Sequence, residues 1–195
     1  TTFSPLFATL SSRSYRLTVA ERFVSSIMHR QSRYFCRYQT VMSPEEKLLE
    51  LEITLPEAPA AVANYVPWIQ TGNLLMTSGQ LPWLNGEIQY AGKCGSDLSV
   101  EDGYEAARLC AINAIAQLKA ASRDLSRISK ILRLEGNVHS AAGFQGQPQV
   151  LNGASDLMFA VFGERGRHTR TALGINEMPL NAAVQLIVFV EVESD

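Results

Sequence analysis

Cysteine is scarce in this chain and its placement is uninformative for cross-linking. Cys36, Cys94 and Cys110 are odd in number and widely spaced. There is no Cys-x-x-Cys pair and no Cys/His cluster with metal-ligand spacing. Neither a disulfide framework nor a zinc site has support, and reduced thiols in a cytosolic compartment are expected. Apolar residues make up 46% of the 195 positions, yet no unbroken run approaches the ~20 residues needed to cross a bilayer. Beyond residue 41 there is no internal repeat and no low-complexity tract. That region also lacks a basic groove with interleaved aromatics, which argues against a nucleic-acid partner.

The charge is unevenly distributed. Residues 1–41 hold six arginines (Arg13, Arg16, Arg22, Arg30, Arg33 and Arg37) against one acid, Glu21. Residues 42–195 hold 11 basic and 18 acidic residues. The first 41 residues, rich in Ser and Arg, have the composition of a mitochondrial transit peptide. The reading preferred over that is upstream sequence that is not native protein, because Met42-Ser43-Pro44-Glu45-Glu46-Lys47 reads as a natural start with Ser43 and Glu46 forming a capping box. A nucleic-acid-binding arm is a third reading, weakened by the dispersal of the arginines. The expectation is a disordered extension over 1–41 followed by one globular domain over 42–195, cytoplasmic unless the extension is a transit peptide.

Within that domain, residues 44–51 read as a short helix, followed by an extended connector at Pro56 and Pro59. Residues 61–70 and 73–78 read as strands, and Asn85-Gly86 predicts a hairpin pairing 81–84 with 87–90. Ser99 and Asp102 open a long helix whose stripe is Tyr104, Ala107, Ala111, Ile115 and Leu118. Alternation over 128–140 sets Leu132, Leu134 and Val138 against Arg133, Glu135 and Asn137. A second helix is predicted over 153–162, capped by Asn152 and Gly163, with strands near 170–176 and 183–193. The element order gives an α+β domain with a mixed six-stranded sheet and two main helices on one face. The last strand is apolar on both faces: Leu186, Val188, Val190 and Val192 on one, Ile187 and Phe189 on the other. Two helices cover only one side of the sheet, so a second copy of the same sheet is expected against the other, giving a homo-oligomer.

The most concentrated chemical feature is Gly166-Arg167-His168-Thr169-Arg170-Thr171-Ala172-Leu173-Gly174, which sets fixed positive charge beside a tight turn. A guanidinium there suits two-pronged capture of a small carboxylate. Together with Asn64-Tyr65-Val66, Gly72 through Thr77-Ser78-Gly79-Gln80-Leu81-Pro82, Asn152-Gly153-Ala154-Ser155-Asp156, and Arg170 nine residues before Pro179, this stretch resembles the YjgF/RidA family. That family is also called reactive intermediate deaminase or endoribonuclease L-PSP-like. The resemblance covers about residues 44–193, and the Asn-Gly-Ala-Ser-Asp and Gly-Arg-His-x-Arg phrases look like a longer-chain subgroup. It implies a chorismate-mutase-like fold, a homotrimer and ligand clefts between subunits. It further implies hydrolysis of small 2-imino acids to 2-keto acids and ammonia without metal or organic cofactor.

Carried over by this resemblance, Arg170 is the residue that holds the substrate carboxylate. Tyr65, Ser78 and Gly79 line the pocket, Asn152 is a helix cap first and a pocket residue second, and Thr171 and Ala172 offer backbone groups. Ala172 stands where the well-known deaminases carry Cys. Gln185, six residues past Pro179, stands where deaminating members carry Glu. It can hydrogen-bond the attacking water but cannot take its proton near neutral pH. His168 reads as a loop histidine bonded to backbone, or as a base sharing a strand face with Arg170. Arg167 reads as a surface or interface charge, while Asp156 and Glu164 show no paired-carboxylate spacing. The rival to catalysis is a trimeric module that binds a keto acid or another small carboxylate without turnover; ribonuclease and chorismate mutase activities are not expected.

Overall fold

In a computed structural model the structure describes residues 42–58 and 64–193. The predicted extension over 1–41 and the start of the predicted strand at 61–63 lie outside the described residues, as does Cys36. Helix α1 (Pro44–Glu50) opens on the expected capping box. The Glu46 backbone N–H donates to Ser43 Oγ at 3.2 Å, and the Ser43 N–H donates to Glu46 Oε2 at 2.7 Å. Strands β1 (Trp68–Thr71) and β2 (Leu74–Thr77) form an antiparallel pair turned at Gly72, whose φ of 56° lies in the left-handed region. Strands β3 (Trp83–Leu84) and β4 (Glu87–Ile88) form the hairpin announced by Asn85-Gly86; both turn residues have positive φ, as a type I′ turn requires.

Helix α2 (Val100–Ser122) begins with the predicted Ser99/Asp102 capping box. Those same hydrogen bonds hold the Asp102 carboxyl below the usual range. Ala107, Ala111, Ile115 and Leu118 are fully buried along it, while Tyr104 at the head of the stripe is half-buried. The chain continues through β5 (Ile128–His139), α3 (Gln147–Phe162), β6 (Thr169–Ile175) and β7 (Val184–Val192). The main sheet runs β1-β2-β7-β5-β6. Its pairs are antiparallel except β5 with β6, which are parallel and connected through α3. The main core lies between the sheet and the helices, filled from β7 by Val184, Leu186, Val188, Val190 and Val192, from β5 by Ile131, Leu134 and Val138, and from α3 by Val150, Leu151, Leu157 and Met158; a smaller cluster gathers Leu81, Met178 and Ala182. Each such aliphatic side chain contributes about 1.5–3 kcal/mol by leaving water.

Three sequence expectations are corrected. The main sheet has five strands among the described residues, not six, because the β3–β4 hairpin pairs with itself. Beside β7 the edge is taken by β2 and by Gln80, which exchanges two backbone hydrogen bonds with Leu186 at 2.7 and 2.9 Å. The chain then turns away, and Asn113 on α2 donates from Nδ2 to the carbonyls of Leu81 at 2.9 Å and Trp83 at 3.0 Å. Second, α3 starts at Gln147 with Pro148 in its first turn. Asn152 is therefore an exposed mid-helix residue and not a cap, while Gly163 does close the helix, at φ 58°. Third, a register shift between Ile131 and Arg133 sends both Ile131 and Leu134 into the core and leaves Leu132 38% exposed.

Candidate functional site

The residues singled out in the sequence fall into two groups within one chain. Tyr65, Ser78, Gly79 and Gln185 line a cavity of about 850 Å³. Ser78 fixes the approach of the Tyr65 loop. Its Oγ donates to the Val66 carbonyl at 2.7 Å and its N–H to the Pro67 carbonyl at 2.8 Å. The absence of a side chain at Gly79 makes room for Gln185, since a Cβ there would stand 2.6 Å from Gln185 Cδ and Nε2. Gln185 Oε1 accepts from Asn137 Nδ2 at 3.3 Å. Gln80, Asn113 and Gln117 complete a wall of amides that the sequence reading did not select. A signal was present: Asn113 and Gln117 are polar residues at i, i+4 on an otherwise apolar stripe of α2. Among the described residues none that lines this cavity is basic, and Glu57 brings a carboxylate.

Arg170 lies elsewhere. In β6 it pairs with Leu134 of β5, so it points to the helix side of the sheet. Its Nη1 donates to Ser155 Oγ at 3.0 Å and its Nη2 to the Pro148 carbonyl at 3.1 Å, both on α3. His168 joins the same cluster. Its Nδ1 is 2.6 Å from the Gly166 carbonyl and its Nε2 is 3.0 Å from Ser155 Oγ. A carbonyl can only accept, so Nδ1 carries the proton, and the neutral ring presents Nε2 as an acceptor for the Ser155 hydroxyl. Burial lowers the His168 pKa, the Gly166 hydrogen bond opposes that shift, and the charges of Arg170 and Lys130 add to it. A concavity of about 430 Å³ opens over Ser155, Asp156, Phe159, Gly166, Arg167, His168 and Arg170. Arg167 is exposed, pairs with Glu164 at 2.8 Å and stacks 4.9 Å from the Phe159 ring centre.

The remaining candidates line neither space. Thr171 lies on the opposite face of the sheet, where its Oγ1 accepts from Arg133 Nη2 at 2.8 Å. Ala172 is half-buried against the core beside Gly136. Asn152 faces solvent from the middle of α3. His168 lies just before β6 and bonds the Gly166 backbone, as the loop-histidine reading expects, and it also meets Arg170 at Ser155, which both touch. Cys94 and Cys110 are buried free thiols. Burial foremost, then the Asp102 charge, pushes Cys94 up to about 11, and burial raises Cys110 well above its ordinary value. Among the described residues no three His, Cys, Asp or Glu side chains converge to hold a metal, and no helix is long and apolar enough to cross a membrane.

The chain is 41% identical over 148 residues to Protein TCP17 of Trypanosoma cruzi, covering 75% of this chain and 92% of that protein. A solved structure from Shewanella oneidensis, described as an endoribonuclease of provisional assignment, is 45% identical with a TM-score of 0.76 over 77% of this chain and all of that one. A protein of unknown function from Agrobacterium tumefaciens is 46% identical with a TM-score of 0.72, over 77% of this chain and 94% of that one. The YjgF gene product of E. coli, 21% identical with a TM-score of 0.51 over 69% of this chain and 93% of that one, shares the fold. Residues 45–192 match the family described as "YjgF/chorismate_mutase-like, putative endoribonuclease". Nearly the whole described domain falls inside that match, and the chain belongs to the YjgF/chorismate mutase-like family.

Proposed function

We propose that the protein is a 2-imino acid hydrolase of the deaminase type, working as a homotrimer whose subunits bring the two groups of site residues together. One observation carries this reading: among the described residues the cavity lined by Tyr65, Ser78, Gly79 and Gln185 has no basic lining residue, while Arg170 opens onto a separate concavity of the same chain. A cleft built from two copies joins an amide-lined cavity to a carboxylate-binding cation. In the reaction, the guanidinium of Arg170 takes the substrate carboxylate, water adds to the imine carbon, and the C–N bond breaks to release ammonia and a 2-keto acid. Positioning supplies most of the acceleration, because a protonated imine is already a strong electrophile. Gln185 orients the water through its amide but does not remove a proton. No cofactor enters this scheme.

Stopped-flow hydrolysis of freshly generated 2-iminopropanoate tests the proposal, with the Gln185→Glu variant run in parallel. The expected outcome is slow acceleration by the natural protein and faster turnover by the variant. The second reading, a trimer that binds a 2-keto acid without turnover, is favoured by Gln185 itself. Binding with no acceleration in either protein would select it. Arg170→Ala is expected to weaken 2-oxobutanoate binding roughly 10- to 100-fold, the worth of a charge-assisted pair; unchanged affinity by calorimetry would remove Arg170 from the site. The acidic balance of residues 42–195 does not favour ribonuclease activity.

A further inference from the structure

We propose that Ser155 is a nucleophile activated by His168, so that the helix side of β6 carries an acyl-transfer site for small anionic esters that shares Arg170 with the proposed imine site. A serine in the middle of a helix ordinarily turns to solvent or bonds back to the carbonyl four residues earlier. Ser155 instead meets two side chains from the β6 segment, accepting from Arg170 Nη1 at 3.0 Å and lying 3.0 Å from His168 Nε2. The Gly166 carbonyl, 2.6 Å from Nδ1, fixes the tautomer. The hydrogen bonds run in one direction, from guanidinium to hydroxyl to imidazole to carbonyl. A nucleophile, a base within hydrogen-bond reach and a third group orienting the base are the parts that covalent catalysis needs. Ser155 is among the residues lining a concavity of about 430 Å³, room for a small substrate.

Burial foremost, and then the charges of Arg170 on β6 and Lys130 on β5, favour a neutral imidazole, while the Gly166 hydrogen bond acts the other way; Arg167 lies at the rim. The nearby carboxylates are engaged elsewhere, Glu164 with Arg167 at 2.8 Å and Asp156 with the Tyr104 hydroxyl at 3.1 Å. Arg170 also stabilises the developing alkoxide, and the cationic rim selects an ester whose acyl group carries a carboxylate. In the first step Ser155 Oγ bonds to the ester carbonyl carbon as its proton passes to His168 Nε2. The imidazolium then protonates the leaving alkoxide as the C–O bond breaks. Water cleaves the acyl-serine with His168 again taking the proton, releasing the carboxylic acid and restoring the hydroxyl.

The test treats the full chain with phenylmethanesulfonyl fluoride and follows intact mass and peptide mapping, a readout that involves neither imine nor keto acid. The expected result is one adduct, on Ser155, forming faster as pH rises through a histidine titration below about 6.5. Ser155→Ala should take up no label, and His168→Gln should label about 100-fold more slowly while keeping its thermal midpoint. Hydrolysis of 4-nitrophenyl hemisuccinate should follow the same order. No adduct at Ser155, or equal labelling of the His168→Gln protein, overturns the proposal. Should that variant fail to fold, the pH profile of the natural protein decides, and a flat rate between about pH 5 and 7.5 overturns it.

Discussion

Gln185 occupies space that Gly79 leaves open, so the two residues act as one unit. Gly79→Ala would place a Cβ 2.6 Å from the end of the Gln185 side chain. The displaced atoms belong to a flexible chain, so stability should fall by less than about 1 kcal/mol in a urea melt. Ligand affinity in the amide-lined cavity should fall further than stability does. His168 has a depressed pKa in the folded state. Below about pH 6.5 the unfolded chain therefore binds more protons than the folded one. Its stabilising contribution is present above that pH and is lost as pH falls through 6.5 toward the folded value. Urea melts between about pH 5 and 7.5 should show a slope of this sign, reduced in His168→Gln. The buried thiols of Cys94 and Cys110 should resist 5,5′-dithiobis(2-nitrobenzoic acid) until denaturant is added.

At the scale of elements, the Asn152-to-Asp156 phrase is divided between packing and chemistry. Gly153 is where α3 crosses α2, and a Cβ there would stand 2.0 Å from the Tyr104 carbonyl oxygen. Gly153→Ala is expected to destabilise the fold by about 2–3 kcal/mol, measured by denaturant melt, because backbone cannot step aside as a flexible side chain can. Ala154 packs in the core, Ser155 meets β6, and Asp156 accepts from Tyr104. Both capping boxes and the Asn85-Gly86 turn were legible because each is decided by residues within a few positions. The start of α3 was not, since Asn152 looks like a cap until Pro148 and Gln147 are seen to begin the helix a turn and a half earlier. The exposure of Leu132 was not legible either, because a bulge breaks the two-residue period without leaving a mark in the local sequence.

For the whole molecule, the sheet face opposite the helices combines Ile187 and Phe189 of β7 with Arg133 and Glu135 of β5 and Leu173 of β6, the last 54% exposed. Such a face is expected to pack against further copies of the chain. Light scattering after size exclusion should give three times the chain mass of 21.5 kDa. Phe189→Glu should shift that population toward monomer and, with it, reduce imine hydrolysis. A monomeric natural protein with full activity would overturn the shared cleft.

The chain's order of residues determined the apolar stripe of α2, the two capping boxes, the hairpin turn and the family, all of which rest on neighbours close in sequence or on a phrase long enough to be distinctive. It also named Arg170, Tyr65, Ser78, Gly79 and Gln185. Only the tertiary structure decided that these residues open onto two different spaces, that Asn113 and Gln117 join the first, and that Ser155 stands between Arg170 and His168. The physical reason is the parity of the parallel β5–β6 register, which sends Arg170 toward α3 and Thr171 toward the opposite face. Strand register is fixed by burial summed over the whole sheet, and no short segment of the sequence contains that sum.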